Sequence, residues 1–211
     1  MANYGVMYGV SGPSAVGDGA NTALRTGRTG AICTQDAHGR FQEAVFRGNV
    51  WSAQTAGTGV DHGSSISTTA AFSLHNPLGS GKRLSIIRVS MGYVSGTLGA
   101  GAVLYLANGS NDARPTGTAI VPVNLKTFAD AGSAALPFTT ATITAPTPIG
   151  VFCNLQPSLA TTAVAPWTVM DYPEGLIQVA PGCTLSLHGL AGAAGTSPLV
   201  IFNVVWEEIA E

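Results

Sequence analysis

Leu199-Val-Ile-Phe-Asn-Val-Val-Trp-Glu-Glu-Ile-Ala-Glu211 and Ser64-Ser-Ile-Ser-Thr-Thr-Ala-Ala-Phe-Ser-Leu-His-Asn76 are the two longest stretches of the chain free of both Gly and Pro. Both alternate with period two. Val200, Phe202, Val204 and Trp206 share one face of the first, and Ile66, Thr68, Ala70, Phe72 and Leu74 share one face of the second. That period belongs to a strand and not to a helix. Where the longest uninterrupted stretches read as strands, the more heavily punctuated remainder has little room for helices.

Working outward, further strands are expected at residues 44–54, 83–94, 102–107, 118–125, 138–144, 164–170, 176–179 and 183–188. Turn chemistry separates them: Asn76-Pro-Leu-Gly-Ser-Gly, Asn108-Gly-Ser-Asn-Asp, Pro115-Thr-Gly and Pro181-Gly. Pro181-Gly182 reads as a tight turn closing a half-buried hairpin, with Cys183, Leu185 and Leu187 facing one way and Thr184, Ser186 and His188 the other. Many short strands at this spacing predict an all-β fold, a jelly-roll-like antiparallel β-sandwich, whose wide connections fall at 109–117 and 126–137. Glu207, Glu208 and Glu211 are expected to keep the last strand's end in water.

Residues 1–43 differ from the rest, being rich in Gly and Ala with little alternation. They read as an extended N-terminal arm, with 44–211 as the β-sandwich domain. Arg25, Arg28, Arg40 and Arg47 lie in or just beyond this arm, and their guanidinium forks suit the carboxylates of a partner. Tyr4, Met7, Tyr8 and Ile32 would be costly to leave in water, which favours an arm ordered against a neighbour.

Composition narrows the function. Only 9% of the 211 residues are charged, against 45% hydrophobic and 27 Gly, so Ser, Thr, Asn and Ala must cover the surface. A formal net charge of −2 lacks the basic footprint of a nucleic-acid binder. The apolar run from Leu199 to Trp206 is broken by Asn203 and is far shorter than the roughly 20 residues of a spanning helix, so no membrane role is expected. The N-terminus has no basic region followed by an apolar stretch, which points to synthesis in a cytoplasm. Cys33, Cys153 and Cys183 are widely spaced and read as small buried apolar residues.

Motifs for chemistry fail on inspection. Gly79-Ser-Gly-Lys82 has Asn76 where a phosphate-binding loop needs Gly and Arg83 where it needs Ser or Thr, so it reads as a polar hairpin turn. His38, His62, His75 and His188 share no ligand spacing and read as loop histidines, and adjacent Asp61 and His62 on a strand would point apart. The acidic neighbours Asp171 with Glu174, and Glu207 with Glu208, flank a turn and the chain end. No catalytic residue, cofactor or metal is therefore expected, and the chain does not read as an enzyme. Trp51, Tyr93, Tyr105, Trp167 and Tyr172 are expected mostly in core or interface; Trp167 and Tyr172 are the candidates for a ligand platform.

The run Asp36-Ala-His-Gly-Arg-Phe-Gln-Glu-Ala-Val-Phe-Arg-Gly-Asn-Val-Trp51, the run Leu74-His-Asn-Pro-Leu-Gly-Ser-Gly-Lys-Arg-Leu-Ser-Ile-Ile87, and the ending Gly175-Leu-Ile-Gln-Val-Ala-Pro-Gly182 through Trp206-Glu-Glu-Ile209 resemble uncharacterised virion proteins of tailed bacteriophages. The resemblance implies a particle protein with a jelly-roll-like body and carries no catalytic residues. The expected function is a capsid decoration or cement protein, made in the host cytoplasm and located in the virion. It would bind the major capsid protein or other virion proteins as a homotrimer. The alternative is a tail-associated fibre or receptor-binding domain that recognises a host-surface glycan through the loops at 108–117 and 126–137.

Overall fold

The structure, a computed structural model, describes residues 39–97, 101–109, 111–155, 168–191 and 196–211. Every described strand lies within the unit Glu43–Glu211, and the expected arm at residues 1–43 lies, up to residue 38, outside the described residues. A single-turn helix, α1 (Gln42–Phe46), comes first. The strands follow in order: β1 (Val50–Gln54), β2 (Val60–Asp61), β3 (Thr69–Asn76), β4 (Lys82–Thr97), β5 (Gly101–Asn108), β6 (Thr116–Ala119), β7 (Val123–Asn124), β8 (Leu136–Thr142), β9 (Thr147–Leu155), β10 (Thr168–Asp171), β11 (Gln178–Val179), β12 (Cys183–Ala191) and β13 (Thr196–Ala210).

The protein is an antiparallel β-sandwich, and its strand order is that of a jelly roll. One sheet runs β10-β4-β13-β1-β7 and the other β6-β8-β3-β12-β5-β9. The pairs β1·β13, β3·β12, β4·β10 and β5·β9 are each antiparallel, so the first half of the chain pairs with the second half as one long ribbon. Successive rungs of that ribbon alternate between the two sheets, which is how a jelly roll folds over itself. β6 and β8 extend the second sheet beyond β3, and β7 extends the first beyond β1.

The core lies between the sheets. Val200, Phe202, Val204 and Trp206 of β13 do share its inner face, against Leu84, Ile86, Val89 and Met91 of β4. Ile86 and Val89 are three apart, which strict alternation forbids, and a bulge resolves the conflict: Val205 pairs Arg88 while Trp206 pairs Ile86. Phe72, Leu74, Val103, Tyr105, Phe152, Leu185 and Leu187 supply the opposite wall. Each large side chain removed from water here contributes about 1.5–3 kcal/mol.

Several sequence expectations need correction. Residues 44–54 do not form one strand: α1 occupies the start, Gly48 at φ 77 ends it, and β1 begins at Val50. β3 starts only at Thr69, leaving Ile66 partly exposed outside it. Residues 118–125 split at Pro122 into β6 and β7, which lie in different sheets. β9 was not expected at all, because Pro148 and Gly150 interrupt its pattern. Neither proposed hairpin exists. The turn at 77–81 carries the chain from β3 in one sheet to β4 in the other, and Pro181-Gly182 carries it from β11 to β12. Asn76 binds the two crossings together, its Nδ2 donating to the carbonyls of Lys82 (2.7 Å) and Val179 (2.9 Å). Thr184, Ser186 and His188 are as buried as the apolar face of the same strand, so β12 has no wet side.

Candidate functional site

Two regions of the sandwich concentrate features that packing alone does not explain. The first is the flank where β9, the end strand of one sheet, lies beside β10, the end strand of the other. Tyr105 of β5 fixes that neighbourhood: its hydroxyl donates to Asp171 Oδ2 of β10 at 2.8 Å, and its ring meets Phe152 of β9 edge-to-face at 5.6 Å. Burial first, and then the hydrogen bond to Asp171, raise the Tyr105 pKa, so the phenol stays a donor throughout the working pH range.

Outward from this anchor the flank turns apolar. Ile149 and Val151 of β9 are 52% and 59% exposed; Met170 and Tyr172, off the outer face of the other sheet, are 52% and 53% exposed, with the Tyr172 hydroxyl 3.5 Å from Met170 Sδ. From Thr147 to Leu155, β9 carries no charged residue. Soluble sheets guard their end strands with charge, bulges or Pro; β9 has Pro148 and two register shifts against β5, but no charge.

The second region is the loop end around Asp112. Its carboxylate accepts from the Thr184 hydroxyl at 2.6 Å through Oδ2 and from the Thr144 hydroxyl through Oδ1. Its backbone N–H donates to Gly182 O at 2.8 Å. Asn108 Nδ2 donates to Thr144 O (3.0 Å) and Oγ1 (2.8 Å). His75 Nδ1 stands 2.9 Å from Thr184 Oγ1; because that hydroxyl gives its proton to Asp112, the imidazole Nδ1 is the donor. Carboxylate, hydroxyl and imidazole are thus present together, in an order unsuited to nucleophilic attack. The hydroxyl sits between acid and base, its proton faces the carboxylate, and Thr184 is 1% exposed. The network instead locks the 111–113 segment onto β3 and β12. A cleft of about 420 Å³ opens beside it, walled by Asn108, Asn111, Asp112, Thr144 and Thr147.

The structure brings few of the sequence-selected residues together. Arg25, Arg28, Trp167, His38 and Cys33 lie outside the described residues. The Arg40 guanidinium lies 5.4 Å from the Phe41 ring centre, and Arg47 Nε pairs with Glu43 Oε1 at 2.9 Å across one helical turn. Tyr172 stands exposed on the β9–β10 flank, whereas Trp51 and Tyr105 are core. Cys153 and Cys183 are half-buried free thiols, and burial pushes the Cys153 thiol up to about 11.

The histidines are a correction. His75 and His188 sit on strands, and His62, on a connection, is as buried as they are. Glu208 is another. It is 4% exposed, with Oε1 accepting from Ser133 Oγ (2.7 Å), Ala134 N (3.0 Å) and Trp206 Nε1 (3.4 Å). Of these, only Glu208 left a legible trace, since in strict alternation it shares the face of Trp206. Asp112 left none, because its partners come from strands far away in sequence.

Comparison with protein-family models, with curated proteins and with solved structures gave no match.

Proposed function

We propose that the chain is a structural, self-associating subunit of a bacteriophage particle, a capsid decoration or cement protein that works as a homotrimer on the virion surface. The observation that carries this reading is β9, an end strand without a charged residue on which Ile149 and Val151 stand exposed. A second copy that covers Ile149 and Val151 removes apolar surface from water and caps a sheet end in one contact. A ring of identical contacts closes the assembly and leaves no flank exposed. The low overall charge fits a surface meant to lie against protein. Partners on the particle, the major capsid protein among them, would then be met by the assembled subunit. The resemblance of three segments to tailed-phage virion proteins supports the same reading.

The test is a charge placed in the flank. Ile149→Lys with Val151→Lys alters two exposed side chains, so the fold is retained by circular dichroism, and light scattering is expected to show the trimer mass falling to that of one chain. An unchanged mass in a folded variant would refute the flank as the contact.

One observation favours a second reading, glycan recognition. The cleft beside Asp112 presents amides, hydroxyls and a carboxylate, the groups that pair with sugar hydroxyls, within the 108–117 loop region. Asn111→Gly keeps the positive φ of 66 at that position while deleting the amide. Glycan-array binding that is lost in this variant would support the second reading.

A further inference from the structure

The connection after β2 holds a feature that neither reading uses. His62 is 1% exposed, and neither of its ring nitrogens has a hydrogen-bond partner. Its backbone oxygen accepts from Gly189 N at 2.6 Å, beyond the last β3 partner of β12 at Leu187. Its ring lies so close over Gly189 that a Cβ there would overlap it. Residues 60–63 therefore clamp the far end of β12, fastened on the other side by the pairing of Val60 and Asp61 with β13.

We propose that residues 60–63 form an acid-released strap on β12, with His62 as its trigger. The neutral imidazole fits because it packs as an apolar ring. Protonation turns it into a buried cation whose N–H groups find only the local backbone of Gly63 and His62 itself, too little to offset the lost hydration. The charges and titratable groups around it offer little help. Asp61 is its own neighbour, exposed, and already accepts from Gly63 N at 2.9 Å. β12 contributes His188, whose side chain lies on the opposite face of that strand, and β13 contributes only Leu199 and Val200. Burial pushes the His62 pKa below 6.5 despite the opposing pull of the Gly63 backbone, of Asp61 and of its own backbone. The sign follows: with the bound-state pKa depressed, the strap is at full strength above pH 6.5 and weakens as pH falls below it.

Release would also open the cleft of about 450 Å³ that Asp61 and Gly63 wall together with Ser64, Ser65, Ser67, Thr69 and Thr140. Acid would thus expose a row of hydroxyls and free one edge of the β12 end, whose other edge stays paired with β5, without touching the core.

Amide exchange followed by NMR on the full chain tests this. Between pH 7 and pH 5, after correction for intrinsic exchange, protection of the Gly189 amide is expected to fall severalfold. The Leu74 amide in β3 should not change. His62→Leu, which keeps an apolar side chain, should abolish the pH dependence, and Gly189→Ala should give low protection already at pH 7. Should His62→Leu fail to fold, the carbon-bound ring proton of His62 in the wild type decides: a midpoint below 6.5 supports the strap. A midpoint at 6.5, pH-independent Gly189 protection, or an acid effect that persists in His62→Leu would overturn it.

Discussion

Glu208→Ala is expected to destabilise the protein far more than Glu207→Ala, although the two residues are adjacent on β13. Glu207 points outward, whereas Glu208 turns inward and its Oε1 accepts from Ser133 Oγ, Ala134 N and Trp206 Nε1. Truncation leaves those donors without their acceptor in a site that is 4% exposed. A hydrogen bond to a charged group contributes about 1.5–3 kcal/mol, and a stranded buried donor costs about 1–3 kcal/mol, so losing the set should cost about 3–4 kcal/mol. With a urea m-value of about 2 kcal/mol per M, the unfolding midpoint should drop by about 1.5–2 M. Glu208→Gln keeps an acceptor and should fall between, near about 1 kcal/mol, while Glu207→Ala should stay within about 0.5 kcal/mol. Equilibrium urea unfolding by tryptophan fluorescence reads all three, since Trp206 reports on the same site. Equal midpoints for Glu208→Ala and Glu207→Ala would refute the assignment of the carboxylate as the clasp of the 133–135 loop.

Three further outcomes follow from the packing. Leu74→Ala empties a fully buried position between the sheets and should cost about 2–5 kcal/mol by the same urea assay. His188 is buried with Nε2 unpartnered, and burial lowers its pKa from 6.5 to about 4. Its contribution is therefore intact above pH 6.5 and is lost as pH falls toward 4, about 3 kcal/mol in full, and His188→Leu should flatten that part of a stability–pH curve. Gly117→Ala would press a Cβ to 2.8 Å from Ala141 Cα and should loosen β6 from β8, visible as faster amide exchange at Ile120, whose N–H donates to Pro137 O at 2.9 Å.

The sandwich was legible in the sequence where one face of a strand is apolar and the other polar. β13 shows this through Val200, Phe202, Val204 and Trp206, which recur at every second position, although Ile201 and Val205 on its other face are apolar too. The prediction failed where both faces of a strand are buried: Thr184, Ser186 and His188 read as a wet face, yet they are as buried as Leu185 and Leu187. It failed again at β9, where Pro148 and Gly150 broke the pattern even though Pro is tolerated on an end strand. The two supposed hairpins illustrate a third limit. A turn sequence such as Pro181-Gly182 specifies that the chain reverses, but whether the next strand joins the same sheet depends on partners supplied from elsewhere, here β4 for β11 and β3 and β5 for β12. The candidate sites were less legible still. Asp112 meets Thr144 and Thr184 across separations of 32 and 72 residues, and the apolar flank joins β9 to β10 through Tyr105 of β5.

The central claim, self-association through the β9 edge, is tested most directly by multi-angle light scattering of the intact chain across a range of concentrations. The account predicts a stable species of three times the 21.3 kDa chain mass. A single-chain mass at every concentration would contradict it.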